Sequence, residues 1–185
     1  MFDSLLLVAT MIGAFWVFLL IIFLYVISGH KQIFFAQQRI GYHERTFTVF
    51  KFRTLKSDSS LPLEQRQFLL GRFLRFTSLD ELPQLLNILK GEMSFIGPRP
   101  LPSNYLPLFS DTERARHSVL PGITGWAQVN GRHNISWKAK FDYDLYYAQH
   151  LSFWFDIRIL VRTAGLLVFP KKDVSLLEKE FRGND

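Results

Sequence analysis

The sequence predicts a mostly helical α+β fold in two parts. Residues 1–30 are expected to form a membrane-inserted helix, and residues 31–185 a cytoplasmic, membrane-associated domain with a short β-hairpin and interfacial amphipathic helices. Two observations support this division. No charged side chain occurs between residues 4 and 28. Beyond residue 30, the chain contains β-prone runs followed by apolar side chains at helical spacing. Basic residues occur in both parts.

The N-terminal segment is long enough to enter a membrane. About 25 residues at about 1.5 Å each give about 37 Å of helix, more than the hydrocarbon thickness of about 30 Å. Gly13 is the weak point of this helix and no proline occurs in residues 1–61, so re-entrant and spanning arrangements both stay open. The C-terminal flank is rich in basic residues, which places it in the cytoplasm: His30, Lys31, Arg39, Arg45, Lys51, Arg53 and Lys56.

Composition narrows the classes of partner. The net charge of +6 favours an anionic partner, which is a nucleic acid, an anionic lipid or a phosphorylated substrate. Nineteen phenylalanines suit a membrane interface. The absence of cysteine excludes disulfides, thiolate zinc sites and a cysteine nucleophile.

A β-hairpin is predicted between residues 31 and 56. Two β-prone runs, 33–35 and 47–50, flank Gly41. Lys51 and Arg53 follow the second run. They are interpreted either as contacts to a nucleotide diphosphate or as a basic flank at the lipid headgroups.

Helices are predicted in the next segment and in the C-terminal third. After a loop from residue 57, apolar side chains at residues 68–74 alternate with arginines and indicate an amphipathic helix, either interfacial or packed. Residues 137–169 predict two helical pieces, the second capped by Ser152. The tail from about residue 171 is expected to be poorly ordered.

Residues 77–100 are the centre of the sequence. Asp80 and Glu81 follow Ser78, and leucines then recur at helical spacing up to Lys90-Gly91. Ser78 with Glu81 predicts a capping box, which puts both carboxylates in the first helical turn, where both should stay ionised. An ionised aspartate can attack phosphorus, and its neighbour can hold Mg²⁺. Ordinary helix capping is the alternative interpretation.

The same stretch ends in Pro98-Arg99-Pro100. Proline fixes φ, so Arg99 loses little entropy when it is ordered, and a rigid guanidinium beside two carboxylates suits a phosphate ligand. A plain surface turn is the alternative. The proline-dense residues 101–107 predict no regular structure, and Ser110 or Asp111 predicts the cap of a helix to His117.

A second dense patch, PGITGWAQVNGR, covers residues 121–132. Its glycines permit close approach of the backbone to a ligand. Its side chains offer an aromatic face, two amides and a guanidinium, which suit a nucleobase or a phosphate: Trp126, Gln128, Asn130 and Arg132. A glycine-rich turn around a buried tryptophan is the alternative.

Four motifs in this order resemble the bacterial sugar transferases, the small monotopic phosphoglycosyl transferases. They are QQRIG (37–41), FKFRT (50–54), SLDELPQLLNILKGEMSFIGPRP (78–100) and RHSVLPGITGWAQVNGR (116–132). The similarity covers nearly all of residues 30–165. Members of this family commonly have a Ser-Pro break in the N-terminal helix, which this chain lacks.

The resemblance implies a Mg²⁺-dependent enzyme at the cytoplasmic face of the bacterial inner membrane. Such enzymes transfer a sugar phosphate from a UDP-sugar to polyprenol phosphate through an aspartyl phospho-sugar intermediate. It implies Asp80 as nucleophile, Glu81 as magnesium ligand and a set of supporting residues. Among the supporting residues, Arg99, Arg132 and Arg75 would bind phosphates, and Pro98 and Pro100 flank Arg99. Asp156 matches an acidic position of the family whose role stays open. Membrane lipid is an expected partner, nucleic acid is not, and a homodimer stays open. The rival hypothesis is a membrane-anchored, non-enzymatic module that binds anionic lipid or nucleic acid.

Overall fold

A computed structural model describes residues 2–58, 60–131, 134–168 and 180–183, with the side chains of residues 2–12 and 64 left aside. Among these residues, no helix has both the length and the apolar character that crossing a membrane requires. The predicted membrane-inserted helix is therefore not confirmed. The elements are α1 Phe2–Ile27, β1 Phe34–Ile40, β2 Thr46–Phe52, α2 Leu63–Arg66, α3 Leu69–Phe76, α4 Leu85–Leu89, β3 Ser94–Ile96, α5 Asp111–Arg114, β4 Gly122–Thr124, α6 Trp126–Val129, α7 Trp137–Gln149 and α8 Phe153–Val168.

The predicted hairpin is confirmed. Strands β1 and β2 pair antiparallel, from Phe34 opposite Phe52 to Ile40 opposite Thr46. A second, unpredicted sheet pairs β3 with β4 in parallel, with Ser94 opposite Gly122. Each of these strands has only three residues, which is too short for an alternating apolar pattern to indicate a strand.

The C-terminal half of α1 packs against the hairpin. Ile21, Tyr25, Phe52 and Leu74 are buried together, so α1, β2 and α3 share one apolar cluster. The Tyr25 hydroxyl donates a hydrogen bond to the backbone carbonyl of Arg53. Helix α1 is therefore attached to the end of β2, the strand that lies beside Asp80 and Glu81.

Two further apolar clusters form the rest of the core. The first joins β2 and α4 to the short parallel sheet, α7 and α8, and Ile159 of α8 is fully buried in it. The second contains Phe109, Phe141 and Phe181. Most of the predicted poorly ordered tail lies outside the described residues, but at Phe181 the prediction is wrong. That ring is only 3% exposed, because it packs against Phe109 and Phe141.

The predicted capping box at Ser78 is wrong. Ser78 has a left-handed backbone (φ 58°) and its side chain makes no capping hydrogen bond. The carboxylates lie in a 3-10 helix, Leu79–Gln84, which continues into α4. Helix α4 ends at Leu89, just before the predicted stop at Lys90-Gly91, where Gly91 has φ 72°. Of the predicted caps, Ser110 forms a full capping box with Glu113, and the Ser152 hydroxyl accepts from the Phe155 amide. The 3-10 helix Ser103–Leu108 replaces the irregular stretch predicted after Pro100.

Helices α3 and α8 each have a buried face, and their exposed faces also carry large apolar side chains. In α3, Leu74 is buried, whereas Leu69 is 85% exposed and Phe73 and Phe76 are about half exposed. In α8, Ile159 is buried, whereas Trp154 and Val161 are exposed. Large apolar side chains on one exposed face are typical of an interaction surface.

Candidate active site

Glu81 is the centre of a charged cluster built by three segments. Lys51 of β2 places Nζ 2.6 Å from Glu81 Oε1. Arg99, in the loop after β3, places Nη2 2.9 Å from the same oxygen. The 3-10 helix supplies Glu81 itself, so residues far apart in sequence meet at one carboxylate.

The buried Asn87 side chain fixes the position of this 3-10 helix and α4 on β2. Its amide nitrogen donates to the Thr48 carbonyl and to Glu92 Oε2, both at 2.7 Å. Its amide oxygen accepts from the Phe50 backbone at 3.4 Å. Thr48 and Phe50 precede Lys51 in β2, so these bonds hold Lys51 beside the carboxylate helix.

The two neighbouring carboxyls have opposite pKa shifts. Burial and the Glu81 charge raise the pKa of Asp80 from 3.8 to about 6, against the charges of Lys51, Arg75 and Arg99. For Glu81, burial opposes ionisation, but Arg99 and Lys51 outweigh it and hold its pKa well below the usual range. The expectation that both carboxyls stay ionised agrees with these shifts at neutral pH, but the sequence did not predict that the pKa of Asp80 is raised.

Arg75 and Arg39 complete the positive surroundings. Arg75 Nε donates to Thr54 Oγ1 at 2.7 Å, and its charge favours the ionised form of Asp80. Arg39 donates to the Pro100 carbonyl at 3.0 Å and to Gln37 Oε1 at 2.7 Å. Burial and the neighbouring Arg99 lower the pKa of Arg39 to about 10. Sequence reasoning did not select Arg39 as a site residue, although it lies within QQRIG, because its partner Pro100 is 61 residues away in the chain.

Pro98 and Pro100 hold the Arg99 loop through their carbonyls. The Gly122 amide donates to the Pro98 carbonyl at 3.0 Å, and Arg39 donates to that of Pro100. The predicted rigid turn is therefore part of the site. Arg53, in contrast, contacts Ser57 Oγ at 3.1 Å and lies over the Phe35 ring at 5.9 Å, so its described contacts belong to the end of the hairpin.

The glycine-rich patch packs behind the Arg99 loop. A side chain at Gly125 would come within 2.1 Å of the Gly97 carbonyl, so glycine is required by this close approach. The Trp126 ring contacts Phe155, with Arg158 at 5.4 Å and Arg162 at 4.8 Å from its centroid.

The amides of this patch differ in their contacts. Asn130 donates to the Trp126 carbonyl and accepts from Arg162 at 2.8 Å, which fits the alternative of a turn around a tryptophan. Within the described residues, the buried Gln128 amide has no hydrogen-bond partner. Arg132 lies outside the described residues.

Asp156 accepts from the Tyr147 hydroxyl at 2.9 Å and thereby joins α8 to α7.

Two adjacent carboxylates surrounded by several cations can bind a phosphorylated ligand. The family model for bacterial sugar transferases matches residues 1–170, and the chain belongs to this family. The predictions of this family and of a sugar transferase enzyme are confirmed.

Individual relatives agree with the family match. An "Uncharacterized sugar transferase EpsL" of Bacillus subtilis is 49% identical over 138 residues, which is 72% of this chain and 68% of the relative. The "UDP-glucose:undecaprenyl-phosphate glucose-1-phosphate transferase" of Xanthomonas campestris is 40% identical over 88% of this chain and 37% of the relative. The "Undecaprenyl-phosphate galactose phosphotransferase" of Salmonella typhimurium is 35% identical over 72% of this chain and 33% of the relative. The chain therefore spans about a third of these two longer relatives.

Proposed function

We propose that this chain transfers a sugar 1-phosphate from a UDP-sugar to polyprenol phosphate, producing a polyprenol-diphosphate sugar and UMP. The observation that carries the proposal is the pairing of Asp80, whose pKa is raised, with Glu81, which Lys51 and Arg99 keep ionised. Relatives named for transfer from UDP-glucose and to undecaprenyl phosphate support the substrate class. The family match also favours this enzyme over a non-enzymatic module that binds polyanions.

In the first step, a carboxylate oxygen of Asp80 attacks the phosphorus that carries the sugar. The new bond joins Asp80 to this phosphorus, the bond between the two phosphates breaks, and UMP leaves with the electron pair. In the second step, a phosphate oxygen of the polyprenol phosphate attacks the same phosphorus and releases the Asp80 carboxylate. Each step needs an ionised Asp80, either as nucleophile or as leaving group.

The surrounding cations reduce the repulsion between Asp80 and the diphosphate. Lys51, Arg75 and Arg99 all favour the charged form of Asp80. Cations already in place when charge develops stabilise a transition state without reorganising. Glu81 orients Lys51 and Arg99 through its ion pairs.

The donor set also fits Mg²⁺. Asp80 and Glu81 supply adjacent carboxylate oxygens, and Mg²⁺ commonly takes one or two carboxylates and completes its shell with water and substrate phosphates. These two residues would hold the ion, and the ion would supply further neutralisation of the diphosphate. Among the described residues, no group of three or more potential metal-binding side chains is present.

The acceptor requires the site to lie at a membrane surface. Phe73, Phe76, Leu86 and Leu89 of α3 and α4 are about half exposed, and these helices flank the carboxylate helix. Together with α1, they would bring Asp80 to the headgroup level of the inner membrane. The basic flank that follows α1 supports a position of the site on the cytoplasmic face.

A panel of UDP-sugars tests the proposal, with purified protein in nanodiscs, Mg²⁺ and polyprenol phosphate. Release of UMP with at least one donor is expected, and it should be lost in Asp80→Asn. Asp142→Asn is the matched control, because Asp142 pairs with Lys138 on an exposed face of α7. Full activity in Asp80→Asn, or no UMP release from the wild-type protein with any UDP-sugar, would contradict the proposal.

A further inference from the structure

A buried ion pair lies directly behind the Arg99 loop. Arg116 is 2% exposed and Asp144 is 3% exposed. Arg116 donates from Nε and Nη2 to Asp144 Oδ2, at 3.0 and 2.6 Å. The same Nη2 donates to the backbone carbonyl of Arg99 at 2.8 Å. One guanidinium therefore connects α7 to the residue that contacts Glu81.

The position of this guanidinium is closely defined. It lies 5.8 Å from the Phe109 ring centroid and 5.5 Å from that of Phe141. A planar guanidinium presents its donors in a fixed arrangement, so binding Asp144 also fixes the direction in which Nη2 points toward Arg99. A lysine keeps the charge but cannot reproduce both directions.

The loop depends on such bonds because its prolines have no backbone N–H. The carbonyls of Pro98, Arg99 and Pro100 each accept a hydrogen bond from a different segment. Arg116 supplies the middle bond, on the residue whose side chain lies 2.9 Å from Glu81. We propose that Arg116, held by Asp144, is a positioning residue that sets the Arg99 guanidinium for the phosphates of the substrate. This inference rests on the proposed function.

Arg116→Lys tests the inference, with Arg114→Lys as the matched control. Arg114 lies two residues earlier and binds a different part of the chain, because it pairs with Glu44 at 2.9 Å and donates to the Leu106 carbonyl at 3.1 Å. Arg116→Lys should lower kcat/KM for UMP release about 10- to 100-fold, mainly in kcat, because small misplacements of a binding group have effects of this size. Arg114→Lys should stay within about twofold, and Asp144→Asn should resemble Arg116→Lys.

A double-mutant cycle separates positioning from general loss of structure. In an Arg99→Ala background, Arg116→Lys should cause no further loss of kcat/KM if it acts through Arg99. An equal loss in both backgrounds, or an equal loss in Arg114→Lys, would overturn the inference. Wild-type protein that releases no UMP would refute the proposed function instead.

Hydrogen exchange then decides the inference without turnover. Arg116→Lys should accelerate exchange of the Gly122 amide, which donates to the Pro98 carbonyl, at least tenfold, whereas Arg114→Lys should leave exchange of this amide unchanged. Unchanged exchange in Arg116→Lys, or equal acceleration by both variants, would overturn the positioning role.

Discussion

Asp80→Asn is expected to abolish transfer and also to stabilise the fold. The folded protein raises the pKa of Asp80 from 3.8 to about 6, because the carboxyl is buried beside Glu81. A carboxyl with a raised pKa binds more protons in the folded state than in the unfolded state. The free energy of unfolding therefore falls as the pH rises from 3.8 to about 6. About two pKa units correspond to about 3 kcal/mol of unfolding free energy at neutral pH. An amide of the same shape avoids this cost.

Thermal unfolding followed by tryptophan fluorescence in detergent micelles measures the effect. About 2–4 °C per kcal/mol predicts a rise in Tm of about 6–12 °C at pH 7.5. The rise should fall to about half near pH 5, because Asp80 is then largely protonated in the folded wild type. Glu81→Gln is the control variant. Its Tm should fall, because Lys51 and Arg99 lose the carboxylate that they share. A Tm gain that is absent at pH 7.5, or equal at both pH values, would refute the reasoning.

Three further predictions concern the site and its support. The kcat/KM for UMP release should fall about tenfold per pH unit below about pH 6, since protonated Asp80 is not a nucleophile, and a flat profile would contradict this. Chelation of Mg²⁺ by EDTA should abolish release, and excess Mg²⁺ should restore it; release that persists in EDTA would exclude the magnesium role. Asn87→Ala should lower the unfolding free energy by about 2–4 kcal/mol in denaturant titration, because buried partners lose their bonds; a change below about 1 kcal/mol would contradict it.

The local elements were largely predictable from the sequence. Phe47–Phe50 and the run before Gly41 form the hairpin because β-prone residues flank a turn. The Ser110 and Ser152 hydroxyls both accept at helix starts, as predicted, because local spacing determines the bond there. Ser78 does not cap its helix: its backbone is left-handed, and Glu81 pairs with Lys51 and Arg99 instead.

The residue types of the site were predictable from the sequence, but the hydrogen-bond partners of its residues were not. Asp80, Glu81 and Arg99 stand out because carboxylates and a proline-held arginine occur in one short stretch. Arg39 and Arg116 do not, because their partners are backbone carbonyls of a loop about 60 and 17 residues away in the chain. The raised pKa of Asp80 was likewise not visible in the sequence, since it arises mainly from burial.

The most direct measurement of the central claim is mass spectrometry of the protein quenched after mixing with Mg²⁺ and a UDP-sugar that it turns over, without polyprenol phosphate. A sugar-phosphate adduct should appear on the peptide that contains Asp80, and it should disappear when polyprenol phosphate is added. Turnover in the complete reaction without any such adduct, or with the adduct on a different residue, would contradict Asp80 as the nucleophile.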